Sequence, residues 1–394
     1  MYIFFRHNAL LVPLTLINEL YLHSYDGQGF LFRQPHNPEG LWYWWTSLLY
    51  FIRYGWAHQN LRHVSEKLMP MWSKAAEALS LPGNLGIRSI FPPDLQNPMG
   101  AFAGNFFESN SIRHPFPNEQ VQSRTRARYG ANLGVLSAMQ ALRVMEESER
   151  EVATNVIVQG GISRVFSRML RPPSHARNTR IDLKLSTTVW GLFKNQSDDG
   201  TKLEWLVSHS KGTDNRPDPE LTTSSFDEVI VASPWVLTGL NTQPEYNLPE
   251  TSWEKMSVTV FTTPGRLAPG SFGLGYGDHR GMPQRVLSTL SDSERGSLEG
   301  YSGVNGVGRT GWWTIEHVGT IARVLPEQDG IPCDTSPCVA SVRTENVFKI
   351  LSPSEISNAT ILRMLTHPQI TWVHRQFVSN LPHPLPPPPA LAIS

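Results

Sequence analysis

Residues 156–170 read Val-Ile-Val-Gln-Gly-Gly-Ile-Ser-Arg-Val-Phe-Ser-Arg-Met-Leu. A β-branched run (Val156, Ile157, Val158) breaks at Gly160 and Gly161. Apolar Val165, Phe166, Met169 and Leu170 then follow at helical spacing. Paired glycines between a strand and a helix allow positive φ and a close approach of backbone to a bound group. The helix start behind them, near Ser163, offers free N–H groups and the positive end of a dipole. The pattern suits a flat cofactor or an anion, and a plain turn carries the same signature.

A chain of 394 residues can bury a large core and is expected to form two domains, or one with a large insertion. Lys+Arg and Asp+Glu each number 34, so charge gives no argument for nucleic acid or an anionic membrane surface. Charged residues are only 17% while Trp numbers 12 and Pro 31, which points to a packed protein with apolar pockets and irregular loops. No stretch reaches the ~20 apolar residues of a membrane span. Residues 9–17, after Arg6, read as a buried segment or a secretory h-region without a clear cleavage site. Cys333 and Cys338 enclose four residues, which suits a small disulfide loop, and no neighbouring His argues for zinc. Glycosylation triplets start at Asn195 and Asn358.

Along the chain, Tyr25-Asp26-Gly27 reads as a turn between short extended pieces. Ala57, Leu61, Val64, Leu68, Trp72, Ala75 and Leu79 mark an amphipathic helix, with a kink or break expected near residue 69 because Pro70 lies inside it. Residues 82–119, rich in Pro, Asn, Gly and Phe, show no period and read as a long irregular insertion. Helical spacing returns over 132–150. Residues 181–185 and 189–193 alternate as half-buried strands, and 203–208 pairs with the latter across a turn at 197–200. Residues 229–234 look like a buried parallel strand whose end meets a ligand. Strands are expected at 257–263, 286–290, 312–317 and 347–351, and a helix opening at Ser352 with Ile356, Ile361, Leu362 and Leu365 inward. A polyproline-like tail follows.

Taken in order, Tyr25-Asp26-Gly27 with the tryptophans and Arg53-Tyr54-Gly55, Arg126 to Gly130, Val158-Gln159-Gly160-Gly161, Val229 to Pro234 and Val347 to Pro353 resemble segments of the prenylcysteine oxidase (prenylcysteine lyase) family. The resemblance runs over residues 21–375, with residues 1–20 divergent and 376–394 a Pro-rich tail. It implies an α/β fold in which an FAD/NAD(P)-binding Rossmann-like domain is interleaved with a β-sheet substrate domain, as in flavin amine oxidases. It further implies FAD, a small-molecule prenylcysteine substrate, and oxidative cleavage of the thioether of farnesyl- or geranylgeranyl-cysteine to prenyl aldehyde, cysteine and hydrogen peroxide. By the same resemblance Gly160, Gly161, Val189, Ala232, Ser233 and Pro234 approach the cofactor, and Tyr129 lines the substrate side. A secretory or lysosomal-vacuolar location is implied as well. No catalytic acid or base and no metal ligand stands out.

Two features of the family pattern are absent from this sequence. The strand followed by G-x-G-x-x-G that holds the FAD pyrophosphate is not found, so the Rossmann-like domain reads as incomplete. The C-terminal flavin-facing segment is not found either. Two readings therefore stand: an FAD-dependent prenylcysteine oxidase, or a non-catalytic relic that binds an apolar ligand without flavin.

Overall fold

A computed structural model describes residues 24–32, 41–79, 92–154, 162–170, 181–196, 203–211, 221–233, 238–245, 253–275, 282–294, 306–324 and 342–382. The chain divides into two compact units, one of residues 1–15 and 155–251, the other of residues 16–154 and 252–394. The second unit is thus made of two chain segments separated by the first. The described residues form a mixed α/β structure with two mixed sheets and eight helices.

The larger unit opens with β1 (Ser24–Tyr25) and β2 (Phe30–Phe32), an antiparallel pair joined by a turn in which Asp26 Oδ1 accepts from the N–H groups of Gln28 and Gly29, both at 2.9 Å. That turn is the one the sequence announces. Helix α1 (Leu41–Tyr54) follows, then α2 (Ala57–Leu79). Of the kink or break expected near residue 69, the break does not occur: helix α2 runs through Pro70 as one helix. Leu68 and Met69, immediately before the proline, are buried in the helical core, and that burial offsets the one lost hydrogen bond.

The expectation of an irregular insertion over 82–119 is corrected for the described part of it. Residues 93–121 are largely helical: α3 (Pro93–Gly100), α4 (Ala103–Ser109) and a π-helical turn, Pro117–Val121. Leu95, Phe106, Phe107, Ile112 and Phe116 from this stretch are buried and form much of the helical core. Each helix is shorter than the window over which a helical period can be recognised, and Pro93, Pro98 and Pro117 mask the pattern in α3 and the π turn. The π turn continues into α5 (Gln122–Tyr129), and α6 (Ala138–Thr154) closes the layer.

The smaller unit holds α7 (Ile162–Met169) and a sheet of β3 (Thr187–Gln196), β4 (Leu203–Lys211), β5 (Thr222–Phe226) and β6 (Asn241–Gln243), in the order β5-β4-β3-β6. The β3–β4 hairpin is as expected, and β6 lies parallel to β3. Two expectations fail here. Residues 181–185 form no strand, and Ser186, with φ of 52°, turns the chain out of extended geometry just before β3 starts. Residues 229–233 are not a buried strand either: Ile230 is 89% exposed. Trp205 on β4 pairs with Phe226, so by Val229 the ladder has passed the end of β4 at Leu203 and has no partner strand to extend it.

The larger unit resumes with β7 (Trp253–Thr263), β8 (Arg285–Ser288), β9 (Thr314–Val324), β10 (Val342–Ser352), a short helix α8 (Asn358–Arg363) and β11 (Trp372–Pro382). The sheet order is β11-β7-β10-β9-β8-β1-β2, antiparallel except where β1 runs parallel to β8. Phe348 and Ile350 of β10, Phe261 of β7 and Ile315 of β9 enter one core with Tyr25, Phe272, Trp312 and the α8 residue Ile361. The helix expected from Ser352 starts later, at Asn358, because Ser352 still belongs to β10 and Ser357 is the residue that caps it. Residues 376–382, assigned by sequence to the tail, complete β11 and pair with β7.

Candidate functional site

Helix α5 has the sequence Gln-Ser-Arg-Thr-Arg-Ala-Arg-Tyr, and a helix of this polarity normally lies on a surface. Instead Gln122, Ser123, Arg124, Thr125 and Arg126 are all buried, as are Glu119 and Gln120 in the π turn before it. Buried polar groups need partners, and most of these have them. π turns inside helices recur at functional sites, because they add a residue and re-aim the side chains that follow.

The N-terminal end of this polar spine is held by Glu119. Arg53 Nε and Nη2 each donate to its carboxylate at 2.7 Å, and the Tyr54 hydroxyl donates to Oε2 at 2.9 Å. Gln120 Nε2 in turn donates to the Tyr54 oxygen at 2.8 Å. Burial, with the Glu119 charge beside it, pushes the Tyr54 hydroxyl far above the ordinary phenol value. Tyr54 therefore stays a neutral donor. The Glu119 carbonyl accepts from Ser24 Oγ on β1 at 2.5 Å and from Ser123 Oγ at 2.9 Å, which ties the π turn to the strand edge.

Further along, Gln122 Oε1 accepts from the Leu133 N–H at 3.3 Å and Thr125 Oγ1 donates to the Ala131 carbonyl at 3.1 Å. Thr289, just past β8, donates through Oγ1 to the Asn118 carbonyl, while its N–H donates to the Tyr25 carbonyl. The strand ends of β1 and β8 and the helix are thereby fastened together.

Arg126 is the exception to this satisfaction. It is fully buried. Its Nη2 donates to the Val307 carbonyl, while Nε and Nη1 have no partner among the described residues. Burial pulls its pKa down to about 9, opposed by the charge of Glu294. The Glu294 carboxylate is itself occupied by the Ser291 N–H and hydroxyl and the Arg309 N–H, at 3.0, 2.7 and 2.6 Å. Next to Arg126, Asn132 Nδ2 donates to the Gly306 carbonyl at 2.9 Å. The helix ends at Gly130, whose φ of 62° is left-handed, and the buried ring of Trp313 lies directly against it.

The residues assigned by resemblance fall in different places. Tyr129 is the last residue of α5, half-buried, with its hydroxyl pushed up by burial and by Glu147. Val189 lies on β3 opposite His209, 38% exposed, and Ala232 and Ser233 are exposed beyond β5; these three belong to the smaller unit. Gly160, Gly161 and Pro234 lie outside the described residues, as do Cys333 and Cys338. Sequence reading missed Arg126 as a separate site. The available signal was three arginines alternating through 124–128 of a helix, a pattern with no apolar stripe. Among the described residues no cluster of His, Cys, Asp and Glu could hold a metal, and no helix is long and apolar enough to cross a membrane.

The sequence model of a protein family described as Prenylcysteine lyase matches residues 38–389. No curated protein matches the chain.

Proposed function

The chain belongs to the prenylcysteine lyase family, and we propose from that premise that it oxidatively cleaves the thioether of farnesyl- or geranylgeranyl-cysteine with FAD and oxygen. The products are prenyl aldehyde, cysteine and hydrogen peroxide. The observation that carries this reading is the extent of the family match, which runs from α1 to beyond β11 and through the inserted unit.

The described residues fit a phosphate-bearing cofactor at one point. Arg126 is a buried cation with two open donors, which is the chemistry an oxyanion needs. When bound, FAD supplies the two-electron acceptor for hydride leaving the isoprenoid carbon next to sulfur, after which water adds to that carbon and the C–S bond breaks to aldehyde and thiol. The chain's part is to bind, orient and keep the site dry. Glu119, Arg53 and Tyr54 hold the start of the polar spine in place, and Gly130 with Trp313 closes its end. In this reading Gly160, Gly161, Val189, Ala232, Ser233 and Pro234 contribute cofactor contacts and Tyr129 faces the substrate. The same reading places the protein on the secretory or lysosomal-vacuolar route, with the exposed Asn195 and Asn358 as glycan acceptors.

The test is to purify the full chain, add FAD, remove the excess and record the visible spectrum, then measure peroxide on adding S-farnesylcysteine. Flavin absorbance with peroxide release is expected. Neither flavin nor peroxide would overturn the reading in favour of an apolar-ligand-binding protein without flavin.

A further inference from the structure

Other arginines in the larger unit meet carboxylates. Arg53 pairs with Glu119 at 2.7 Å, Arg343 with Glu345 at 2.6 Å and Arg375 with Glu355 at 3.3 Å. Arg126 has no ion pair among the described residues, although it is the most enclosed of them. A guanidinium carries five N–H donors and cannot discard its charge cheaply. Leaving two of its nitrogens open in a buried setting costs more than any single carbonyl contact returns. A purely structural arginine at this position would have been surrounded by carbonyls or a carboxylate. Here Glu294, the acid whose charge acts on Arg126, is committed to its own loop through Ser291 and Arg309.

The surroundings are arranged to hold the side chain still. The Val307 carbonyl fixes Nη2, the Asn132–Gly306 hydrogen bond fixes the adjacent loop, and the α5 backbone continues from the Arg126 carbonyl to the Gly130 N–H at 2.9 Å. What remains is a positioned cation with open donors on Nε and Nη1. Such a group is complementary to an oxyanion delivered by a ligand.

We propose that Arg126 is the receptor for an oxyanion of a bound small molecule, either the carboxylate at the amino-acid end of the prenylcysteine or a phosphate of the dinucleotide cofactor. The identity of these ligands rests on the proposed function; the oxyanion chemistry rests on Arg126 alone. Arg126 then sets how an otherwise greasy ligand is oriented, since the isoprenoid chain by itself carries no polar handle.

Equilibrium titrations of the full-length protein with two ligand pairs decide the matter. S-farnesylcysteine is compared with S-farnesylcysteamine, which lacks only the carboxylate, and FAD is compared with riboflavin, which lacks the phosphates and the adenylate. If the substrate is the source, Arg126→Gln lowers affinity for S-farnesylcysteine roughly 10- to 100-fold and leaves S-farnesylcysteamine unchanged. If the cofactor is the source, the same loss falls on FAD and not on riboflavin. Arg126→Lys, which keeps the charge, recovers part of the loss in either case. Should Arg126→Gln fail to fold, the wild-type protein still decides, because equal affinities within both pairs would overturn the proposal. Equal losses within both pairs in a folded variant would overturn it too. Peroxide release by the wild type, recorded in parallel, reads the proposed reaction separately: its absence sinks the reaction and leaves any Arg126-dependent selectivity standing.

Discussion

The Trp313 ring occupies the space a side chain on Gly130 would need, with Cη2 and Cζ3 at 2.7 and 2.8 Å from where a Cβ would stand. Gly130 also has φ of 62°, a conformation that costs an ordinary residue about 1–2 kcal/mol. Gly130→Ala therefore meets two penalties, backbone strain and overpacking against a buried ring. It is expected to lower stability by about 2 kcal/mol or more, read as a reduced urea midpoint at unchanged slope. A variant as stable as wild type would mean that the ring moves away freely.

Arg53→Ala removes the charge that Glu119 faces while Glu119 stays buried. An enclosed pair broken in this way costs about 3–5 kcal/mol, and the partial exposure of Arg53 reduces the expectation to about 2 kcal/mol. Tyr54→Phe deletes one hydrogen bond to the same carboxylate and is expected to cost about 1 kcal/mol. Denaturant titration should rank Arg53→Ala below Tyr54→Phe. Adding Glu119→Gln to Arg53→Ala should recover part of the loss, since the two residues share one interaction.

Stability should fall on the acid side through Glu345. Burial acts to raise its pKa, but the hydrogen bonds from Thr371 Oγ1 and Arg343 and the charge of Arg323 hold it below the ordinary carboxylate value. Glu316, paired with Lys349, and Glu294 are displaced in the same direction. A depressed carboxyl contributes stability that is complete above its unfolded-state pKa and is lost as pH falls through the folded-state value. Unfolding free energy should therefore hold steady from neutrality down to about pH 4.5 and decline below it. Glu345→Gln should be less stable than wild type at neutral pH and show a shallower acid decline. Parallel acid limbs for the two proteins would assign the decline to other carboxyls.

Ser357 caps α8, its Oγ accepting from the Thr360 N–H at 3.2 Å. Ser357→Ala should cost about 1 kcal/mol, and Ser357→Asp should restore it. A differential scanning trace of the three proteins is enough to check the order.

These expectations draw on parts of the molecule that were unequally legible in the sequence. Strand β10 could be read because Val347, Phe348, Ile350 and Leu351 make a short apolar run, and its faces differ: Phe348 and Ile350 enter the core while the residues beside them stay partly exposed. Helix α2 could be read because Leu61, Leu68 and Ala75 recur at helical spacing and are the residues buried. Helix α5 could not. Gln122, Ser123, Arg124, Thr125 and Arg126 are all buried, and apolar periodicity is blind to polar side chains buried against carbonyls and hydroxyls. Residues 229–231 misled in the opposite sense, since Val-Ile-Val has strand propensity but a strand also needs a neighbour to bond with. The family likeness was legible from short segments in order and extends over residues 38–389, whereas Arg126 emerged only from the unmet donors around it.

The parallel pairing of β1 with β8 joins Ser24 to Leu287 and Tyr25 to Ser288. Some 260 residues of chain, residues 155–251 of the smaller unit included, are synthesised between the two halves of that ladder. At roughly 5–20 residues per second the first strand waits on the order of ten seconds or more for its partner to leave the ribosome. During that interval the Ser24 hydroxyl and the Glu119 carbonyl can already meet, but Thr289 and Val307 have not yet been made. The nascent chain is therefore expected to complete its helical layer early and to hold Arg126 unclosed until late in translation, a window in which a chaperone or the ligand itself can act on the chain.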